Sequence, residues 1–155
     1  ARLPYLKQVM QESLRLYPPI WAIARQNTGS LELGGYCIPP ESYLVMPIYG
    51  LHRHPDYWLD AEKFDPDRFA PQRAASRHSY CYLPFSAGPR TCIGEPFAWM
   101  EGVLLMAVIA QRWAFEIVPD HPVEYDPQVT LRPKHGMTMR LRRRAVAHTV
   151  QTANE

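Results

Sequence analysis

The stretch FSAGPRTCIG, from Phe85 to Gly94, holds the residues best suited to do chemistry. Gly88, Pro89 and Gly94 restrict the backbone on both sides of Cys92, and Arg90 stands two positions before it. A thiolate that ligates a metal must be deprotonated and held rigid. Positive charge and a helix N-terminus both favour that state. Cys92 has both, because Arg90 is near and a helix is predicted from about Glu95. Gly88 permits a sharp turn, and Gly94 lets the backbone approach a flat partner closely. A lone cysteine is more often a buried structural residue than a ligand. The five fixed letters of F-x-x-G-x-R-x-C-x-G change those odds, since they recur by chance on the order of 10^-7 per start position.

A second set is charged. Glu12 and Arg15 are three residues apart and share a helix face. Alone they read as an exposed pair worth a few tenths of a kcal/mol. Yet Arg15 lies among Leu14, Leu16 and Tyr17, and Arg68 in PDRF sits where a long coil needs fixing. A buried glutamate between two arginines can satisfy its oxygens bidentately. Such a network locks a coil, because breaking it leaves buried unpaired charge.

These residues need elements to hold them. Leu3, Leu6, Met10, Leu14 and Tyr17 recur at helical spacing, and Pro18-Pro19 ends that helix. LELGGYCIPP predicts a hairpin turning at Gly34-Gly35. SYLVMPI offers a further short strand, and GLHRHPDYW a short helix stopped before Pro55. From Asp56 to Pro84 periodicity fails, which predicts a long ordered coil, and coils of that length are often functional. Glu95 to Trp113 reads as a second long helix with Pro96 in its first turn. Phe97, Met100, Leu104 and Val108 give it a wide face predicted to be buried. VTLRPKHGMTMRLRRR reads as a closing hairpin, and residues 145–155 as a frayed tail.

Composition narrows the classes. The 155 residues suffice for one globular core, and 16 prolines demand much irregular backbone. A formal charge of +2 argues for neither nucleic acid nor an acidic partner, and the RLRRR end reads as a solvated strand. The three cysteines, Cys37, Cys81 and Cys92, form no CxxC pair, so neither a disulfide framework nor a zinc knuckle is indicated. A reducing, cytoplasmic compartment is the simpler expectation. The longest uncharged apolar run, Gly102 to Ala110, is short of the roughly 20 residues that span a bilayer. The chain starts without Met and without an N-cap, as a piece of a longer protein would.

ESLR (Glu12 to Arg15), PDRF (Pro66 to Phe69) and FSAGPRTCIG follow one another in that order. Together they resemble the C-terminal part of a cytochrome P-450, a haem-thiolate monooxygenase, over nearly the whole chain from Leu3 to about Arg142. The resemblance implies a mainly α fold with small β-sheets, and a haem-binding part over residues 1–144 whose N-terminal complement is absent. It implies Cys92 as the axial thiolate of haem b, with Gly88 and Gly94 shaping the loop. Arg90 and Arg25 resemble arginines that pair with haem propionates, and Phe85 the residue packed beside the sulfur. Glu12, Arg15 and Arg68 resemble the charged triad that supports the haem core. Ile20, Trp21, Ala22, Ile23 and Ala24 resemble one substrate-contact segment, and Gln128, Val129 and Thr130 another. Asp67 stands where the family often has Glu, at little cost, since Arg68 carries the triad role.

By the same resemblance, the protein inserts one atom of O2 into a small apolar substrate. Its electrons come from NAD(P)H through a ferredoxin or a flavoprotein reductase. Lys7, Arg73, Arg77 and Arg112 form a candidate set for steering an acidic donor. No segment resembles the helix that carries the family's acid–alcohol pair, so turnover by this segment alone is not expected. A peroxide-driven or isomerising enzyme, a haem-binding or sensing module and an inert fragment stay open as alternatives. His52, His54, His78, His121, His135 and His148 could compete for iron, but none sits in so constrained a loop, and most read as surface or turn residues.

Overall fold

Proline sets both ends of the first helix, α1, Pro4–Leu16. Pro4 occupies the first turn, where its missing N–H costs nothing. Pro18 bars Tyr17 from helical geometry, and the Tyr17 N–H closes the helix on the Ser13 carbonyl. The structure, a computed structural model, describes residues 3–145. Most of the tail expected over 145–155 therefore lies outside the described residues.

After α1 the chain forms two antiparallel pairs. Strand β1, Ile23–Gln26, pairs with β4, Tyr43–Met46, with Ile23 opposite Met46. Between them β2, Leu31–Leu33, and β3, Tyr36–Ile38, make the expected hairpin, with Leu33 opposite Tyr36. Gly34 and Gly35 both have positive φ, +59° and +82°, which this tight turn requires and side-chain-bearing residues resist. The short helix α2, Ile48–Leu51, follows. The expected coil is present, but it is broken by single helical turns at Pro66–Phe69 and Ser79–Cys81 and by α3, Pro71–Ala74.

The core lies under that coil. Trp58, Phe69 and Cys81 are its buried members, with Ala61 and Tyr82 packed against them. Burial pushes the Cys81 thiol above its ordinary range, so this cysteine is inert packing.

The long helix α4, Glu95–Arg112, ends one residue earlier than predicted, because Trp113 opens strand β5, Trp113–Ile117. Its apolar face departs from expectation. Phe97 is 60% exposed, Met100 57%, Leu104 45% and Val108 54%. Helix α1 packs against α4, and the half-buried residues of α4 fall along a single stripe. At that crossing Met10 fills the space where a Gly102 side chain would stand, with its Cε 2.5 Å from the Cβ position.

The predicted closing hairpin is not formed. Strand β7, Leu131–Pro133, pairs with β6, Tyr125–Pro127, and β8, Met139–Arg143, pairs with β5. The alternation of Met139 to Arg142 does mark a strand, but its partner lies more than twenty residues upstream, with Phe115 opposite Leu141. Arg142 also pairs with Glu116 across that ladder.

Candidate functional site

The loop around Cys92 is held by its own backbone. The Cys92 N–H donates to the Phe85 carbonyl at 2.9 Å, and the Glu95 N–H donates to the Cys92 carbonyl at 3.3 Å. Gly88 takes φ +70° and Ser86 φ +64°, so the chain reverses twice within the loop. The Thr91 N–H and hydroxyl both donate to the Gly88 carbonyl, at 3.0 and 2.8 Å. Phe85 meets the Trp99 ring edge-on at 5.4 Å, which ties the loop to α4.

Cys92 itself is exposed. It borders a cleft of about 290 Å3, together with Phe85, Arg90, Ile20, Ile23, Leu83 and Pro84 among others. A side chain at Gly94 would stand 3.7 Å from the Cys92 Sγ, so glycine keeps that flank of the sulfur open. Cys37 is also exposed, but on the β2–β3 hairpin and away from this cleft. A second cleft of about 360 Å3, lined by Tyr17, Tyr125, Leu131 and Met137 among others, is roomier but holds no cysteine.

The remaining sequence-predicted residues divide. Ile20 and Ile23 face the cleft. Arg25, two positions on from Ile23 along β1, is exposed and donates to the Ala24 carbonyl, outside the cleft lining. Trp21, Ala22, Ala24 and Gly88 also stand outside the lining. The two candidate contact segments do meet: the Trp21 indole N–H donates to the Gln128 carbonyl at 2.8 Å, and the Leu131 N–H donates to the Pro19 carbonyl at 2.7 Å. Val129 projects outward, 90% exposed.

Glu12, Arg15 and Arg68 come together and are buried. Arg15 grips Glu12 bidentately, at 2.7 and 2.9 Å, and Arg68 Nε lies 3.3 Å from the same carboxylate. The Asp65 N–H donates to Glu12 as well, at 2.8 Å. The arginines spend their other donors on coil carbonyls: His52 and Lys63 for Arg15, and Leu59, Asp60 and Lys63 for Arg68. Arg15 also lies over the Trp58 ring at 5.1 Å. The network thus fixes α1 to both ends of the 52–68 segment.

Of the basic residues offered for steering, two are engaged within the coil. Arg73 pairs with Asp65 at 3.0 Å, and Arg77 donates to the Arg68 carbonyl and stacks on Trp58. Lys7 lies over the Trp99 ring, and Arg112 stands with Arg143 and Arg144 around another cleft.

Among the described histidines His52 is the exception to the reading of most as surface or turn residues. It is fully buried. Its Nε2 accepts the Leu83 N–H at 2.8 Å, and its Nδ1 faces the Arg15 carbonyl at 3.3 Å. That pairing assigns the proton to Nδ1. Burial holds the ring neutral: its pKa is pushed down to about 4, against the raising effect of the Arg15 carbonyl and helped by the Arg15 charge. In the sequence this residue is one of two histidines in a short polar run, and only the tertiary contact separates it from His54, which is exposed.

Comparison with known proteins bears on this arrangement. The family described as Cytochrome P450 matches residues 1–140. Cytochrome P450 CYP72A616 of Paris polyphylla is 41% identical over 145 residues, covering 92% of this chain and 28% of its own length. Cytochrome P450 4B1 of Rattus norvegicus is 41% identical over 143 residues, again 92% of this chain and 28% of its own. Among solved structures, the heme domain of cytochrome P450DA superposes with a TM-score of 0.86 at 30% identity, over 93% of this chain and 32% of that one. The retinoic acid-bound cyanobacterial CYP120A1 gives 0.86 at 32% identity, over 91% and 33%. The chain therefore spans about a third of the proteins it matches. With a family model that matches residues 1–140 and relatives 41% identical over 92% of its length, the chain belongs to the cytochrome P450 family.

Proposed function

We propose that the protein is a haem-thiolate monooxygenase that inserts one atom of O2 into an apolar organic substrate. Its electrons come from NAD(P)H through a ferredoxin or flavoprotein reductase. The observation that carries this reading is the exposed Cys92 beside Arg90 and Phe85 on the wall of a largely apolar cleft. The activity is proposed for the protein as a whole, since the chain spans about a third of its relatives.

The residues present fit haem. Among the described residues no group of three or more His, Cys, Asp or Glu could hold a bare metal ion. A single cysteine on the cleft wall instead suits a metal that would arrive with its own organic ligand, as haem iron would. The open flank at Gly94 leaves room for a flat ring against the loop. Cys92 would supply the protein's sulfur ligand to the iron, and Arg90 would pair with a propionate. Arg25 would have to give up its contact with the Ala24 carbonyl to do the same. Haem bound through a thiolate supplies O2 activation with electron density that favours O–O cleavage.

The chain's own residues supply the rest. The Cys92 N–H bond to Phe85 and the edge-on contact with Trp99 fix the direction of the sulfur. Ile20 and Ile23 give the substrate an apolar wall, and the Trp21 bond to Gln128 sets the spacing of the two contact segments. A reducing, cytoplasmic setting is proposed with this function, supported by three free thiols.

Oxygen labelling tests the reaction. Haem-loaded protein, NADPH, a ferredoxin system and a panel of fatty-acid and terpene probes are incubated under 18O2. The expected result is one 18O atom in the product, with NADPH consumed in step. Product formed only with added peroxide would replace the proposed reaction by a peroxide-driven one. Haem binding without any turnover would replace it by a sensing role.

A further inference from the structure

We infer that His52 is a positioning residue, a strut through which the buried Glu12–Arg15–Arg68 network sets the geometry of the Cys92 loop. This inference rests on the proposed function only for its consequence at the haem. The contacts stand without it.

Two chains of hydrogen bonds meet in one imidazole. On one side, His52 Nδ1 lies 3.3 Å from the Arg15 carbonyl, and Arg15 Nη1 returns a bond to the His52 carbonyl at 2.9 Å. Both ends of His52 are therefore clamped to the residue that grips Glu12. On the other side, His52 Nε2 receives the Leu83 N–H at 2.8 Å. Leu83 starts the cleft wall formed by Leu83, Pro84 and Phe85. Its carbonyl accepts the Ser86 N–H, and the Phe85 carbonyl accepts the Cys92 N–H. The path from the network to the sulfur-bearing residue runs through Arg15, His52, Leu83, Phe85 and Cys92, with a hydrogen bond or a short covalent link at each step.

The chemistry of the ring explains why histidine suits this place. One donor and one acceptor are needed at opposite ends of a flat, rigid group, and neutral imidazole provides both. Tyr82 lies beside it, with ring centroids 5.2 Å apart, and its own hydroxyl donates to the Gln11 carbonyl of α1. The residue just before Leu83 is thus also held to α1. Without His52 the half-buried Leu83 N–H would lose its protein partner, and the loop would gain freedom at its root.

The test separates this role from a general loss of stability. Four variants are compared with the parent: His52→Leu, His52→Asn, His52→Gln and, as a control, Phe69→Leu, which loosens the core without removing a bond to Leu83. Asn places a polar atom near the Nδ1 position but falls short of Leu83. Gln reaches further and offers both a donor and an acceptor. The first readout is hydrogen exchange at the Leu83 and Cys92 amides, with alkylation of Cys92 measured against the exposed Cys37. The second is haem affinity and the thiolate-type band of the reduced carbon monoxide complex.

His52→Leu and His52→Asn are expected to speed exchange at Leu83 and weaken haem binding by about ten-fold, as loss of an outer-shell partner does. His52→Gln is expected to restore much of both, and Phe69→Leu to lower thermal stability with little change at Leu83. If Leu does not fold, the Asn and Gln pair decides. Equal behaviour of Asn and Gln, or of His52→Leu and Phe69→Leu, would overturn the inference. A parent without a thiolate band would sink the proposed function instead, while the exchange and alkylation data would still decide whether His52 holds the loop.

Discussion

The region under the coil and the face of α4 are both rich in large side chains, yet they are finished to different degrees. Under the coil, Glu12, Arg15, His52 and Arg68 are buried and spend their polar groups on one another or on backbone N–H and carbonyl groups. Trp58 is buried among them, with Arg15 and Arg77 over its ring. On α4, Phe97, Met100, Leu104 and Leu105 stand open, and the loop at its N-terminus holds the exposed Cys92. A helix that is apolar on most sides has its stable place inside a larger core. The contrast separates a scaffold that is complete within the chain from a surface shaped to be covered.

Substitutions should expose that difference, most strongly in the scaffold. Replacing Glu12 by Ala strands two buried guanidinium groups and the Asp65 N–H. A loss of about 3–5 kcal/mol is expected, read from denaturant unfolding. If the loss were below about 1 kcal/mol, the network would not be what holds the coil.

Acid should act on the same region through His52. Its folded pKa of about 4 lies below the unfolded value of about 6.5. The stability owed to its neutral form is therefore complete above pH 6.5 and is lost as pH falls towards 4. The full effect is roughly 3 kcal/mol. Unfolding midpoints measured between pH 7.5 and 4 should fall further for the parent than for His52→Gln. Parallel pH curves would show that His52 titrates alike in both states.

The smallest effect is expected on the open face. Leu104→Ser should change the stability of this chain by no more than about 0.5 kcal/mol, since Leu104 is 45% exposed. Leu16, only 2% exposed, should cost about 2–5 kcal/mol when cut to Ala. A large loss at Leu104 would mean that the open face is already packed in solution.

Local features were legible in the sequence, and long-range pairings were not. Prolines at 4, 18 and 96 mark helix ends by removing donors and fixing φ, an effect that needs no tertiary context. Gly34-Gly35 announces its turn in the same way. The cysteine loop shows because its glycines, arginine and cysteine are crowded into one stretch. Arg68 is marked by its place in a coil and by the family resemblance rather than by any local pattern, since its contact with Glu12 spans 56 positions. His52 escaped because nothing in HRHP tells which ring meets a backbone donor 31 residues away. The end of the chain was read as one hairpin because alternation reports a strand and not its partner. The buried face expected on α4 failed for a related reason: apolar pattern predicts a need for cover, and the described residues supply cover along one stripe alone.

The central claim is that Cys92 is the sulfur ligand of a haem, and one spectrum tests it. Haem-loaded protein is reduced, exposed to carbon monoxide and compared with Cys92→Ser. A strongly red-shifted Soret band in the parent that is lost in the variant is the predicted result. A band typical of histidine ligation, unchanged by the substitution, would contradict it.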